Sequence, residues 1–151
     1  MISENEFELQ LQKIIDQALL EDVGPGDYSS LACIPAAATG RAKLLVKEAG
    51  IIAGVAFAQM IFKTVDPDLH VDVLISDGTP VQIGDVVLHV SGKSQSILKA
   101  ERTVLNSMQR MSAIATKTNK FVQLLQGTSC KILDTRKTTP NFRAAEKWAV
   151  K

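Results

Sequence analysis

The hexapeptide Asp134-Thr135-Arg136-Lys137-Thr138-Thr139 sets two adjacent cations among hydroxyls, and no other part of the sequence is better suited to chemistry. Arg136 offers a planar fork that takes a carboxylate or phosphate through two bonds, Lys137 adds a compact charge, and Thr135 and Thr138 add hydroxyl donors. The combination suits a ligand with several negative charges. The run before it, Lys131-Ile132-Leu133-Asp134, is short and apolar like a buried strand, and loops after the carboxyl ends of parallel strands are where α/β proteins place their sites. A plainer reading also fits the spacing: a solvated basic turn whose threonines cap a helix with Pro140 in its first turn.

Other polar groups have simpler explanations. Arg102, in Glu101-Arg102, has Leu98 and Leu105 a turn to either side, and a surface ion pair with Glu101 or another neighbour accounts for it. Arg143, Glu146 and Lys147 stand at i, i+3 and i+4, the pattern of a charged helix face. His70 and His89 alternate within strand-like segments and are expected to meet solvent or a hydrogen-bond partner rather than a metal. Cys33 and Cys130 lie far apart with no close Cys or His spacing, so neither a zinc site nor any other protein-held metal is expected.

The elements that must carry these groups follow from periodicity. Phe7, Leu11, Ile14, Ile15, Ala18 and Leu19 form one helical stripe, Ser3 and Glu6 fit a capping box ahead of it, and Asp22 to Asp27 is a turn-rich stop. Residues 40–46 read as a strand and 54–65 as a packed helix. Leu69, Val71, Val73 and Ile75 alternate in a further strand, Asp77-Gly78 marks a turn, and 86–90 is another strand. From Ser94 to Leu125 the pattern is helical, with Ser112 able to cap a second helix after a break and Gly127 as the stop. The result is a compact α+β sheet domain over 1–111, then helix, buried strand, loop and helix over 112–151, the repeating unit of folds with parallel strands. One such unit cannot stand alone, and the pattern breaks off at Lys151 inside a helix, so the sequence reads as a piece of a longer chain.

Bulk composition closes off several classes. With 17 Lys+Arg against 16 Asp+Glu the net charge is +1, which gives no whole-chain field for nucleic acid or an acidic membrane. The 46% hydrophobic content implies a folded core. An acidic start with no apolar segment behind it, and no run of about 18 apolar residues, point to a cytoplasmic protein with reduced cysteines. The Asp77–Val87 hairpin region resembles that of swinging-arm carrier domains, for which Lys47 would be the only nearby acceptor.

Four stretches together resemble one family, the quinolinate phosphoribosyltransferases: Leu20-Glu21-Asp22-Val23-Gly24-Pro25-Gly26-Asp27, Lys47-Glu48-Ala49-Gly50-Ile51-Ile52-Ala53-Gly54, Glu101-Arg102-Thr103-Val104-Leu105-Asn106, and Asp134 to Pro140 with Arg143-x-x-Glu146-Lys147-x-Ala149-Val150. The last two, in this order and at this separation, are the specific ones. The resemblance implies an open-faced sheet sandwich followed by the start of an α/β barrel, and a homodimer in which one subunit's N-terminal domain covers the other's barrel. It implies transfer of phosphoribosyl from phosphoribosyl pyrophosphate to quinolinate with decarboxylation, in de novo NAD biosynthesis, with Mg2+ carried by the donor and its protein ligands outside this chain. By the same resemblance Arg102 reaches quinolinate across the dimer, and Thr135, Arg136 and Lys137 contact substrate, Lys137 being the catalytic candidate. The family's His-Arg turn and phosphate loops are absent, so no turnover is expected from residues 1–151 alone. A related enzyme for another anionic ring and a non-catalytic dimerisation or carrier module are the alternatives.

Overall fold

A computed structural model describes residues 3–151, leaving Met1 and Ile2 of the acidic start outside it. Helix α1 (Glu4–Val23) begins with the expected capping box: Ser3 Oγ accepts from Glu6 N–H at 3.3 Å, and Ser3 N–H donates to the Glu6 carboxylate at 2.8 Å. Its stripe buries Leu11 and Ile15 almost completely. A short helix that periodicity does not resolve, α2 (Tyr28–Cys33), follows, capped by Asp27, which accepts from the Ser30 backbone. The remaining order is β1 (Thr39–Leu45), β2 (Gly50–Ile51), α3 (Val55–Val65), β3 (His70–Val73), β4 (Pro80–Val81), β5 (Val86–Lys93), α4 (Ser94–Leu124) and α5 (Arg143–Val150).

Strand β5 is central in an antiparallel sheet of order β1-β5-β3, and β2 pairs with β4 in a second small sheet. The alternation read from the sequence is visible in the register. Leu44, Leu88 and Val73 meet across the strands and turn inward, whereas Lys43, His89 and Asp72 meet on the face away from the core. His70 is exposed, and His89 Nδ1 lies 2.9 Å from the Arg41 guanidinium, so both histidines have the ordinary surroundings expected of them. The helices pack against the inward face, with α3, α1 and α5 all laid on α4, and the shared core runs from Ile15 and Phe57 through Ile61, Leu88 and Val104 to Met111. This is an open-faced sandwich, as expected.

Helix α4 differs from expectation. It runs unbroken for 31 residues, and Ser112 caps nothing. Instead its hydroxyl accepts from Ala53 N–H at 3.0 Å and donates to Ala53 C=O at 3.1 Å, while Thr116, one turn on, accepts from Ile51 N–H at 2.9 Å. Two side chains of the helix thereby satisfy backbone groups that β2 and its extension leave unpaired. The approach is close enough to require glycine on the facing chain. A Cβ on Gly50 would sit 2.5 Å from Thr116 Oγ1, and one on Gly54, at φ +93°, would sit 3.0 Å from Met111 Sδ.

Two further expectations fail near the C-terminal end. Lys131–Asp134 forms no strand: it pairs with none among the described residues, and Leu133 is 89% exposed. A parallel strand exists only through its neighbours, and an apolar run without one stays irregular. Nor does a helix begin at Thr139-Pro140. Residues 139–142 make a turn, with Asn141 at φ 60°, and α5 starts at Arg143 without a side-chain cap.

Candidate active site

Arg102 projects from α4 toward the end of α1. Its Nε lies 2.8 Å and 3.1 Å from the two carboxylate oxygens of Asp22, and its side chain remains 64% exposed. The ion-pair reading of Arg102 is therefore correct as far as it goes, although the partner comes from α1 rather than from Glu101. A pair so exposed contributes little stability. The same guanidinium helps keep Asp27 ionised, after the larger effect of the Ser30 hydroxyl and backbone, which together hold that carboxyl below its usual range.

The basic hexapeptide lies in the irregular segment between α4 and α5, and its backbone is tied internally. Thr135 N–H donates to its neighbour Asp134 at 2.7 Å, Lys137 N–H donates to Thr135 Oγ1 at 3.1 Å, and Thr138 N–H donates to Arg136 C=O at 3.0 Å. Thr135, Arg136 and Lys137 are all exposed. Arg136 and Lys137 take part in no ion pair among the described residues. The nearby carboxylates are committed elsewhere. Asp134 is paired with Lys147, which holds its carboxyl below the ordinary value, and Glu146 is paired with Arg110. Positive charge on the loop is thus left without local neutralisation, which is what an anion site needs.

The charged residues of α5 are not a solvated face. Arg143 donates through Nε to Thr138 Oγ1 at 3.0 Å and through Nη2 to Arg136 C=O at 3.3 Å, and Lys147 holds Asp134. Glu146 is buried, with a side chain only 8% exposed, and accepts from Arg110 Nε at 2.9 Å and Thr139 N–H at 3.3 Å. Burial pushes the Glu146 carboxyl up, but the bonds from Thr139 and Arg110 outweigh it and leave the group below its usual value. Sequence reading missed Arg110, and it took Thr139 as a cap and Glu146 as part of a charged helix face rather than as members of one network. The one available signal was that Arg102, Asn106 and Arg110 fall at i, i+4 and i+8, on a single stripe of α4.

That stripe forms one wall of a cleft of about 1110 Å³ between α1, α4 and residues 139–144, whose basic lining includes Lys13, Arg102, Arg110 and Arg143. Arg102 thus shares a cleft with the exit of the loop, yet it makes no hydrogen bond or ion pair to residues 134–139 within the protomer. Thr135, Arg136 and Lys137 lie outside the lining. Among the described residues no three His, Cys, Asp or Glu side chains cluster as metal ligands, and no helix is long and apolar enough to cross a membrane.

Comparison with known proteins identifies the arrangement. A family model described as the quinolinate phosphoribosyl transferase N-terminal domain matches residues 27–112, and the C-terminal domain model of the same family matches residues 114–151. Over 141 residues the chain is 48% identical to "quinolinate phosphoribosyltransferase [decarboxylating] 1" of Nicotiana glauca, covering 93% of this chain and 40% of that protein. It is 38% identical to a probable nicotinate-nucleotide pyrophosphorylase [carboxylating] of Bacillus subtilis, covering 95% of this chain and 49% of that one. The crystal structure of NadC from Streptococcus pyogenes superposes with a TM-score of 0.89 at 38% identity, over 94% of this chain and 50% of NadC. The expected fold class is borne out, and the chain spans half or less of the length of each of these relatives.

Proposed function

The chain belongs to the quinolinate phosphoribosyl transferase family, and from that premise we propose that it contributes one half of the site that joins quinolinate to the phosphoribosyl group of phosphoribosyl pyrophosphate. The observation that carries this reading is the loop 134–139, where Arg136 and Lys137 stand exposed and without an ion pair among the described residues while both neighbouring carboxylates are neutralised. Quinolinate is a dianion and the diphosphate donor carries more charge still, so fixed cations both concentrate the substrates and hold them in reacting geometry.

The proposed chemistry needs no protein nucleophile. The pyridine nitrogen of quinolinate attacks the anomeric carbon of the donor, the bond to pyrophosphate breaks, and the leaving group takes the electron pair. Loss of carbon dioxide from the now cationic ring leaves the electron pair of the broken bond on the ring carbon, and uptake of a proton from solvent there gives nicotinate mononucleotide. Arg136 is suited to a substrate carboxylate, Thr135 to a hydroxyl contact, and Lys137 to the charge that develops as the bonds change, where a preorganised cation is most effective. Magnesium would arrive on the donor's diphosphate. Asp134 and Glu146 are held by Lys147 and Arg110.

Arg102 completes the reading. Its Nε is held by Asp22, but the side chain is mostly exposed, and it makes no hydrogen bond or ion pair to the loop of its own protomer, which supports its service in the site of a second copy. We accordingly place the protein as a homodimer, with residues 1–111 forming the sheet domain that covers a partner and 112–151 opening the barrel. A cytoplasmic location fits the two free, exposed cysteines, although rice has a relative named chloroplastic. The test is quinolinate titration of the gene product expressed from its natural reading frame. Arg102→Ala should weaken binding by about 2–5 kcal/mol while costing under about 1 kcal/mol of stability. An unchanged quinolinate affinity would return Arg102 to a surface ion pair.

A further inference from the structure

We infer that Arg110 and Glu146 are positioning residues for the binding loop, acting through Thr139; the inference rests on the functional reading above. Glu146 divides its two oxygens between two elements. Oε1 receives Arg110 of α4, at 2.9 Å from Nε and 2.7 Å from Nη2, and Oε2 receives the backbone N–H of Thr139 at 3.3 Å. Arg110 Nη2 closes the triangle by donating to Thr139 Oγ1 at 2.7 Å. Helix α4, helix α5 and the last residue of the hexapeptide are therefore fastened at one carboxylate.

Two features separate positioning from bulk stabilisation. Glu146 is buried while the Arg110 side chain is 54% exposed, so a charge has been taken from water in order to meet an irregular segment, a poor arrangement if stability alone were served. The network also lies between the protomer's two contributions to binding, its own loop and the Arg102 it lends to a second copy. Arg102 is eight residues before Arg110 on the same stripe of α4, about 12 Å along the axis. Arg136 and Lys137 stand three and two residues before Thr139. At the other side of the loop Lys147 holds Asp134, and Arg143 holds Thr138 and the Arg136 carbonyl. Of these three α5 contacts only the one through Glu146 reaches α4, so it is the one that fixes the loop to that helix.

The gene product and its Glu146→Gln, Thr139→Val and Thr139→Ser variants would be compared by calorimetric titration with quinolinate and by backbone amide exchange. Glu146→Gln and Thr139→Val should each weaken quinolinate binding about tenfold, the scale on which small misplacements act. Both should speed exchange across residues 134–139 while leaving β5 and α3 at the wild-type rate, and Thr139→Ser, which keeps the hydroxyl, should behave as wild type. Wild-type affinity in a folded Glu146→Gln or Thr139→Val protein overturns the inference, as does exchange that accelerates equally through β5 and α3. Should Glu146→Gln fail to fold, the Val and Ser pair at Thr139 decides. If the wild-type protein binds no quinolinate, the functional reading fails on its own. Exchange still decides the network in that case: acceleration confined to the loop upholds it, and an unchanged loop overturns it.

Discussion

Replacing Ser112 by alanine should destabilise the protein by about 2–3 kcal/mol, an amount that follows from what the hydroxyl satisfies. Ala53 is 6% exposed, and its N–H and C=O both find their partner in Ser112 Oγ, at 3.0 and 3.1 Å. Each buried backbone group left unpaired costs about 1–3 kcal/mol, and two such groups set an upper bound of roughly 6. Ser112 is only half-buried, so water recovers part of this, and the better helix propensity of alanine returns about 0.5 kcal/mol. For a chain of this size each kcal/mol moves the melting point by about 2–4 °C, so a calorimetric scan should fall by roughly 4–12 °C. Thr116→Val, which takes one acceptor from Ile51 N–H, should cost about half as much. If Ser112→Ala changes stability by less than about 0.5 kcal/mol, the hydroxyl does not hold this segment, and the account of why α4 carries serine and threonine facing Ala53 and Ile51 is wrong.

Acid should release the Glu146 contact. Its folded-state carboxyl lies below the ordinary value of 4.5, so the unfolded chain binds the proton first as pH falls. The contribution is complete above 4.5 and is lost on descending through the lower folded value; melting curves of wild type and Glu146→Gln, recorded against pH, should therefore converge below 4.5 and keep a constant gap above it. Asp77 offers a check on remote capping: its carboxylate accepts from Val55 N–H at 2.8 Å and Ala56 N–H at 3.0 Å, the open end of α3. Asp77→Ala should cost about 1 kcal/mol in chemical denaturation, and Asp77→Asn less.

Much of the fold was legible because its signals are local. The stripe Leu11–Ile15 and the Ser3–Glu6 box announce α1, the period of two over 69–75 announces β3 with the correct inward face, and the apolar run 86–90 after Gly84-Asp85 announces β5. Where reading failed, the deciding partner was distant in sequence. Ser112 resembles a cap because serine favours caps, yet its partner Ala53 is 59 residues away. Glu146 resembles a surface acid until Arg110, 36 residues earlier, is brought beside it. Lys131–Asp134 carries a strand's composition without a strand beside it, and β2 and β4, at two residues each, are too short for any period to be seen. Of the site, the loop cations and Arg102 could be picked out from residue type and motif. The clamp that orients them could not, since no motif spans α4 and α5.

The uninterrupted course of α4 bears on how such a protein can move and how it can be divided. The two family matches meet between residues 112 and 114, in the middle of a helix whose 31 residues extend about 46 Å. A continuous hydrogen-bonded helix does not act as a hinge, so any opening between the parts it joins must be absorbed in the irregular stretch 125–142, the same stretch that carries Arg136 and Lys137. Splitting the chain at the family boundary would sever the helix just after Ser112 and strip Ile51 N–H of Thr116, leaving two pieces that each lack part of the other's interior. What alignment separates into two modules is mechanically one beam, with an arginine toward one end and an irregular, charge-bearing connection at the other.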